Sequence, residues 1–246
     1  MKRPNWLVLL GLTLVVSSAL AYFVHYLLFR DTRHIFLYLI GDLAFLPVQV
    51  LFVTLIVDRL LGRREKTALL KKLNMVIGIF FSELGTPLLK SLASFDRRIG
   101  GMQKSLVPTS EWSGKDFTSS SARFARYDPL IECEAGRMEE LRSYLEGKRD
   151  FLLTLMENPN LLEHESFTDL LWSVFHLAQE LAARKDLRGL PETDYAHLSG
   201  DIKRAYRLLI SEWFSYMRHL KEDYPYLYSL AVRMNPFDPE SRPEVR

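Results

Sequence analysis

The chain has 246 residues, enough for one or two domains, and its 32 Lys and Arg nearly balance its 30 Asp and Glu, for a formal net charge of +2. Hydrophobic residues make up 48% of the chain and charged residues 25%, as in ordinary globular proteins. This composition excludes disordered and collagen-like classes, and a single cysteine, Cys133, excludes an internal disulfide framework. The first quarter is nevertheless almost entirely apolar, whereas the rest has the composition of a water-soluble protein.

The first apolar run predicts a membrane-spanning helix. Residues 6–29 contain no Asp, Glu, Lys or Arg, and a helix of that length, at about 1.5 Å per residue, crosses a hydrocarbon core of about 30 Å with some tilt. A cleaved signal peptide is the alternative, because Lys2 and Arg3 precede the run and residues 19–21 resemble a cleavage site. The apolar run continues for eight residues beyond Ala21, which favours a retained helix.

A second apolar run, residues 34–61, predicts a second membrane helix. Residues 30–33 are too short a break for anything but an antiparallel hairpin, so residues 1–61 are interpreted as a two-helix transmembrane hairpin. Positive charge lies beyond both far ends of this hairpin. By the positive-inside rule, both termini are therefore cytoplasmic. The predicted topology is therefore multi-pass.

A basic collar follows the second helix and opens a predicted helical extension at 62–98. Residues 34–72 carry a net charge of +3, whereas residues 73–246 carry a net charge of −4. Such a collar suits anionic lipid headgroups, at about 1 kcal/mol for each cation, although it is equally explained as a topology signal. The acidic remainder of the chain argues against nucleic-acid binding. The collar consists of Arg59, Arg63, Arg64, Lys66, Lys71 and Lys72.

Polar residues inside the second predicted span are its most informative feature. Asp42 lies roughly 12 Å from the outer end of the helix, and an ionisable group at that depth is a functional hypothesis by default. Gln49 follows seven residues later on nearly the same face, and Pro47 between them predicts a kink.

Three side chains are candidates to hydrogen-bond Asp42. Tyr38 precedes it by four residues in the same helix, and in an antiparallel hairpin Tyr22 and His25 reach a similar depth. Two interpretations stay open. Asp42 either holds the hairpin or an oligomer together, or it lines a path for an ion or solute, which two helices alone cannot enclose.

The remaining chain predicts a cytosolic all-α bundle at 129–235, reached through a long connection at 99–128 that contains one short helix. Residues 73–81 form an apolar stretch too short to span a bilayer, which indicates a core or interfacial helix. Further helices are predicted at 129–157, after a capping pair of Ser166 and Asp169, and at 193–221. A short helix after Pro225 precedes a flexible tail at 236–246.

Catalytic signatures are scarce. Residues 113–116 lack the glycine and hydroxyl of a phosphate-binding loop, and residues 82–88 resemble a histidine-kinase box in which Ser82 replaces the acceptor histidine. Cys133 stands between two glutamates, which disfavours a thiolate nucleophile. We therefore predict no catalytic residue and no cofactor.

One weak metal-ligand pattern remains. Asp194, His197 and Asp201 share a helical face, and His176 with Glu180 forms a second pair at the i, i+4 spacing. Di-iron bundles need two Glu-x-x-His motifs and two further carboxylates, so solvated surface groups are the simpler interpretation.

Four stretches resemble a family of uncharacterised two-helix bacterial integral membrane proteins. They are 41–59, which begins GDLAFLP, together with 74–85, 158–181 and 224–237. The resemblance implies a bacterial inner-membrane location and no known activity, and it transfers no site residues.

Three functions follow as hypotheses. The first is a non-enzymatic inner-membrane protein with a cytosolic helical interaction domain, forming a homo-oligomer and binding a cytosolic protein partner. The second is a homo-oligomeric ion channel or transport component in which Asp42 and Gln49 face a central path. The third is a membrane-bound metal-dependent enzyme.

Overall fold

The structure, a computed structural model, describes residues 6–159, 161 and 164–245, without the side chains of 7, 58, 60–71, 103 and 104. Over these residues the protein is all-α, as predicted, and the strand-like pairing is confined to an isolated bridge between Asp96 and Ile131. The helices are α1 (Trp6–Phe29), α2 (Thr32–Phe80), α3 (Thr86–Ala93), α4 (Gln103–Leu106), α5 (Gly114–Ala125), α6 (Ala135–Gly147), α7 (Arg149–Met156), α8 (Glu165–Ala183), α9 (Glu192–Asp223) and α10 (Pro225–Arg233).

The chain divides into two compact units, Met1–Lys66 and Thr67–Arg246. In the first unit, α1 and α2 are separated by Arg30 and Asp31. Arg30 adopts a left-handed backbone conformation with φ of 48°, and the Asp31 carboxylate accepts a hydrogen bond from His34 N at 3.2 Å, which caps the start of α2. Helix α2 continues through Pro47.

Large apolar side chains of the first unit are exposed along α1 and along α2 as far as Val57. Val8–Phe29 and Thr32–Val57 are long and apolar enough to cross a membrane, and the apolar window that identifies each of them contains no buried residue. A third segment, Lys72–Ala93, is also long and apolar enough to cross a membrane, but 44% of its apolar window is buried within the fold. Exposed examples in the first unit are Leu9, Leu20, Phe36, Ile40 and Phe52.

A π-helical turn at Phe81–Gly85 separates α2 from α3. Pro87 explains this turn, because it has no N–H to donate to Glu83 O and its ring collides with that carbonyl in a regular α-helix. The wider turn closes instead through a hydrogen bond from Thr86 N to Phe81 O. A glycine is required at position 85, since a Cβ there would lie 2.7 Å from both the Phe80 and the Phe81 rings.

Helices α8 and α9 form the centre of the second unit, and α3, α5, α6, α7 and α10 pack around them. The predicted apolar stripes are confirmed. All six stripe positions of α9 are buried, and so are the five apolar positions at helical spacing in the predicted 129–157 helix, which are Met138, Leu141, Leu145, Leu152 and Leu155. The side chains of Leu73, Phe80 and Phe81 are buried as well, so one face of the 73–81 stretch is part of the core. The buried α9 stripe consists of Tyr206, Leu209, Ile210, Trp213, Met217 and Leu220.

The structure differs from the predicted helix at 129–157, which is split into α6 and α7 and starts only at Ala135. Residues 129–134 are drawn into contacts with the segment around Asp96. The buried Asp96 carboxylate accepts hydrogen bonds from Tyr127 Oη at 2.7 Å and Leu130 N at 3.1 Å. Glu132 N donates to Phe95 O at 2.9 Å. These bonds replace the first helical turn that the sequence pattern predicts.

Two helix caps were not identified from the sequence. Ser113 caps α5, which lies within the predicted 99–128 connection, and the Asp116 carboxylate accepts hydrogen bonds from both its N–H and its Oγ–H at 2.7 Å. Helix α8 is capped by His164, whose Nδ1 accepts from Phe167 N at 3.3 Å. Ser166, the predicted cap, lies in the first turn instead.

The C-terminal segment, predicted to be flexible from residue 236, begins with a buried side chain. Phe237 is 7% exposed, and its ring packs edge-on against Trp213 at 5.5 Å between centroids. Asn235 is fully buried, donates to Leu106 O at 3.0 Å and accepts from Phe237 N at 2.7 Å. This amide therefore connects the segment to α4.

Candidate functional sites

A polar groove lies between α1 and α2 close to their connecting turn. It has a volume of about 660 Å³. It includes three of the four intramembrane polar residues singled out from the sequence, whereas Gln49 is exposed outside it. The groove is lined by Ser18, Ala21, Tyr22, His25, His34, Ile35, Tyr38 and Asp42.

Aromatic rings organise the groove. The His25 and His34 rings are stacked with centroids 6.4 Å apart, and His34 also contacts the Tyr38 ring at 4.7 Å. Nδ1 of His25 is buried and has no hydrogen-bond partner among the described residues. Tyr38 packs against His34 and forms no hydrogen bond with Asp42, contrary to the possibility raised by their spacing. His34, which the sequence analysis missed, is thus a member of the groove.

The basic collar is described only in part. Arg59 and Lys72 are exposed. The side chains of Arg63, Arg64, Lys66 and Lys71 lie outside the described residues. The collar therefore remains a sequence-based prediction.

A second cluster of polar side chains lies between α8 and α9. Arg184, just after the end of α8, pairs with Asp194 near the start of α9. His176, eight residues earlier in the chain, lies close to Asp201, which is seven residues later in α9. This order shows that the two helices run antiparallel. Ligand-type residues spaced i, i+4 on each helix consequently face one another.

Short distances connect the four central side chains of this cluster. Asp201 Oδ2 lies 3.3 Å from His197 Nε2 and 3.5 Å from His176 Nε2. Glu180 Oε2 lies 3.4 Å from His197 Nε2, and Glu180 Oε1 lies 3.9 Å from His176 Nε2. One ligand atom from each of His176, His197 and Asp201 falls within 4.8 Å of the other two.

Arg184 organises the carboxylates at the edge of the cluster. It donates to Glu180 Oε2 at 2.8 Å and, through two nitrogens, to both oxygens of Asp194 at 2.6 and 2.8 Å. These hydrogen bonds are the main reason that the pKa values of the Glu180 and Asp194 carboxyls are lowered. Asp194 is therefore paired with Arg184. The candidate metal-ligand set contains His176 from α8 in place of Asp194, which the sequence analysis had suggested.

Cys133 has an elevated pKa, in the predicted direction but for a different reason. Burial raises the pKa of its thiol to about 11. Glu132, predicted to contribute through its charge, forms an ion pair with Arg97 instead. A nucleophilic role for Cys133 is therefore disfavoured.

Comparison with known proteins finds a matching protein family for both parts of the chain. Residues 1–61 match a family model described as MJ1433, N-terminal helical domain, and residues 69–233 match one described as Uncharacterized protein MJ1433, C-terminal helical domain. The Uncharacterized protein MJ1433 of Methanocaldococcus jannaschii is 44% identical over 241 residues, covering 98% of this chain and 97% of the relative. The chain belongs to the MJ1433 family. No solved structure matches the chain.

The matches confirm the prediction that the chain belongs to an uncharacterised family, and they leave the bacterial detail of the predicted resemblance without support. The relative is archaeal, so a bacterial origin has no support from it. The two matches to the MJ1433 family end at residue 61 and begin at residue 69, close to the division after Lys66 in the structure.

Proposed function

We propose that the protein is a non-enzymatic membrane protein whose first two helices form a hairpin anchor in the cell membrane. Residues 67–245 then form a cytosolic helical interaction domain. The observation that carries this proposal is the exposure of apolar side chains over Val8–Phe29 and Thr32–Val57. The second unit buries its own apolar side chains in a continuous core. The exposed apolar surface of the first two helices is poorly solvated by water and well solvated by lipid.

Charge supports a cytoplasmic location of both termini. Lys2 and Arg3 precede the first span, and the basic collar follows the second. The two arginines of the 30–33 segment are outnumbered by the basic residues on the opposite side. The same collar is suited to anionic headgroups at the membrane surface.

Unpaired polar groups in the anchor support a homo-oligomer. Asp42 and Gln49 are exposed, and no described side chain hydrogen-bonds Asp42. Because lipid tails offer no hydrogen bonds, polar groups at this depth are stabilised by partners on another helix. A second copy of the chain supplies such partners at the same depth.

Membrane extraction and a topology reporter test the anchor. We expect the full chain to stay in the membrane fraction during alkaline carbonate extraction. A reporter fused after Arg246 should be active only when the assay detects cytoplasmic protein. Release by carbonate would contradict the anchor, and periplasmic or extracellular reporter activity would contradict the orientation.

The groove favours a second candidate function, an oligomeric path for ions. Its lining includes Asp42 together with two imidazoles, those of His25 and His34, and intramembrane ionisable groups commonly mark such paths. Asp42→Leu and Asp42→Asn distinguish the two functions. An asparagine keeps hydrogen-bonding capacity but removes the charge, whereas a leucine removes both.

If Asp42 holds the oligomer together, Asp42→Leu should weaken association by about tenfold, since one such bond contributes about 1–2 kcal/mol. Asp42→Asn should assemble like the wild type. Sedimentation in detergent measures both. Loss of ion flux in liposomes with Asp42→Asn, while assembly is intact and the matched Asp31→Asn variant conducts normally, would instead support the ion path.

A further inference from the structure

We propose that the helical domain binds one Zn²⁺ ion between α8 and α9 through His176 Nε2, His197 Nε2 and Asp201 Oδ2. Glu180 lies beside the fourth coordination position. This site is independent of the anchor. It brings together residues that lie far apart along the chain, because two i, i+4 pairs meet across an antiparallel helix pair.

The distances between ligand atoms fit a tetrahedral ion. Zn²⁺ binds imidazole nitrogen and carboxylate oxygen at about 2.0–2.1 Å, so its ligand atoms lie about 3.3–3.4 Å from one another. The observed separations from Asp201 Oδ2 are 3.3 Å to His197 Nε2 and 3.5 Å to His176 Nε2. Two of the three separations are therefore close to those of a tetrahedral zinc site, and one ligand atom from each of the three residues lies within 4.8 Å of the other two.

The burial of Asp201 provides a second, independent indication of a ligand. This carboxylate is only 3% exposed, yet among the described residues its Oδ2 atom has no hydrogen-bond partner and faces only the two imidazole nitrogens. A buried carboxylate oxygen without a partner is unfavourable, because water is lost and nothing replaces it. A bound cation would supply the missing interaction at this atom.

Neighbouring arginines hold the carboxylates in position. Arg204 Nη1 lies 3.2 Å from Asp201 Oδ1, which leaves Oδ2 directed at the imidazoles. Arg184 Nη1 donates to Glu180 Oε2 at 2.8 Å and so holds this carboxylate next to His197. Such interactions behind the ligands are typical of metal sites and orient their coordinating atoms.

The donor set and its accessibility favour Zn²⁺. Imidazole with carboxylate suits zinc and related transition metals, whereas Ca²⁺ and Mg²⁺ prefer all-oxygen sets. The side chains of His176 and His197 are 42% and 51% exposed. An ion therefore has a direct route from solvent to the buried Asp201.

Titration of the full-length protein with Zn²⁺ tests the site. After chelator treatment in detergent, calorimetry should show one Zn²⁺ per chain, and zinc at about 100 times its Kd should raise the Tm by about 5–10 °C. His176→Gln, His197→Gln and Asp201→Asn should each weaken binding by at least about 100-fold, because loss of a supporting group alone costs 10–100-fold. Glu180→Gln should weaken it by about tenfold.

His219→Gln is the matched control. His219 lies on the same helix and pairs with Asp223 at the same i, i+4 spacing, at 2.8 Å, but contacts Asn74 in place of a second histidine. Its replacement should leave zinc binding unchanged. The exposed His176 and His197 variants should melt like the wild type in chelator.

Two results would overturn the proposal. One is zinc binding that is absent or survives both histidine substitutions. The other is a loss of stability in the histidine variants in chelator, with no effect of zinc on any Tm. The imidazoles would then serve only as ion-pair partners of Asp201.

Discussion

Val16→Lys should prevent stable insertion of the protein into membranes. Val16 lies near the middle of α1 and is 59% exposed. A lysine at the centre of a spanning helix costs about 2.5–3.5 kcal/mol on insertion scales. The expected result is a large fall in the carbonate-resistant fraction, measured by immunoblotting of membrane and soluble fractions.

Leu130→Lys is the control for this substitution. Leu130 is 45% exposed on the second unit, where a lysine side chain remains in water and its effect should stay within about 0.5 kcal/mol. If Val16→Lys behaves like Leu130→Lys, the exposed face of α1 does not contact lipid, and the proposed anchor is wrong.

Trp213→Ala should lower the free energy of unfolding of the helical domain by about 3–5 kcal/mol. Trp213 is 2% exposed and packs against the rings of Phe214 and Phe237, at 5.3 and 5.5 Å between centroids. Its removal leaves a large cavity and takes away the surface against which the C-terminal segment packs. Thermal unfolding followed by circular dichroism in detergent measures the loss.

A second tryptophan gives an internal comparison. Trp172, on α8, is 57% exposed and contacts the Phe175 ring at 6.3 Å. Trp172→Ala should change the free energy of unfolding by no more than about 0.5 kcal/mol. Equal losses for the two variants would contradict the packing around Trp213.

Local periodicity explains which parts of the fold were predictable. The apolar stripes of α8 and α9 follow from the 3.6-residue repeat, since each helix buries one continuous face. The extended segment before Ala135 was not predictable in this way. It depends on the carboxylate of Asp96, which binds Leu130 N from 34 positions away in the sequence, and such a contact leaves no periodic signal.

For the candidate sites, too, the sequence predicted contacts within one helix but not contacts between helices. The spacing of His197 and Asp201 places them on one helical face, and that pairing was correctly read from the sequence. Which carboxylates and imidazoles complete the cluster depends on how α8 and α9 are aligned. Asp194 pairs with Arg184, and the alignment brings His176 to Asp201.

The π-helical turn determines which side chains α3 can bury. Leu73 and Leu92 are both buried in the core, yet they are 19 residues apart, which in an uninterrupted α-helix would rotate them about 100° away from each other. One additional residue in the wider turn removes roughly that rotation. The turn therefore acts as a phase correction that keeps the leucines before and after Pro87 directed at the same core.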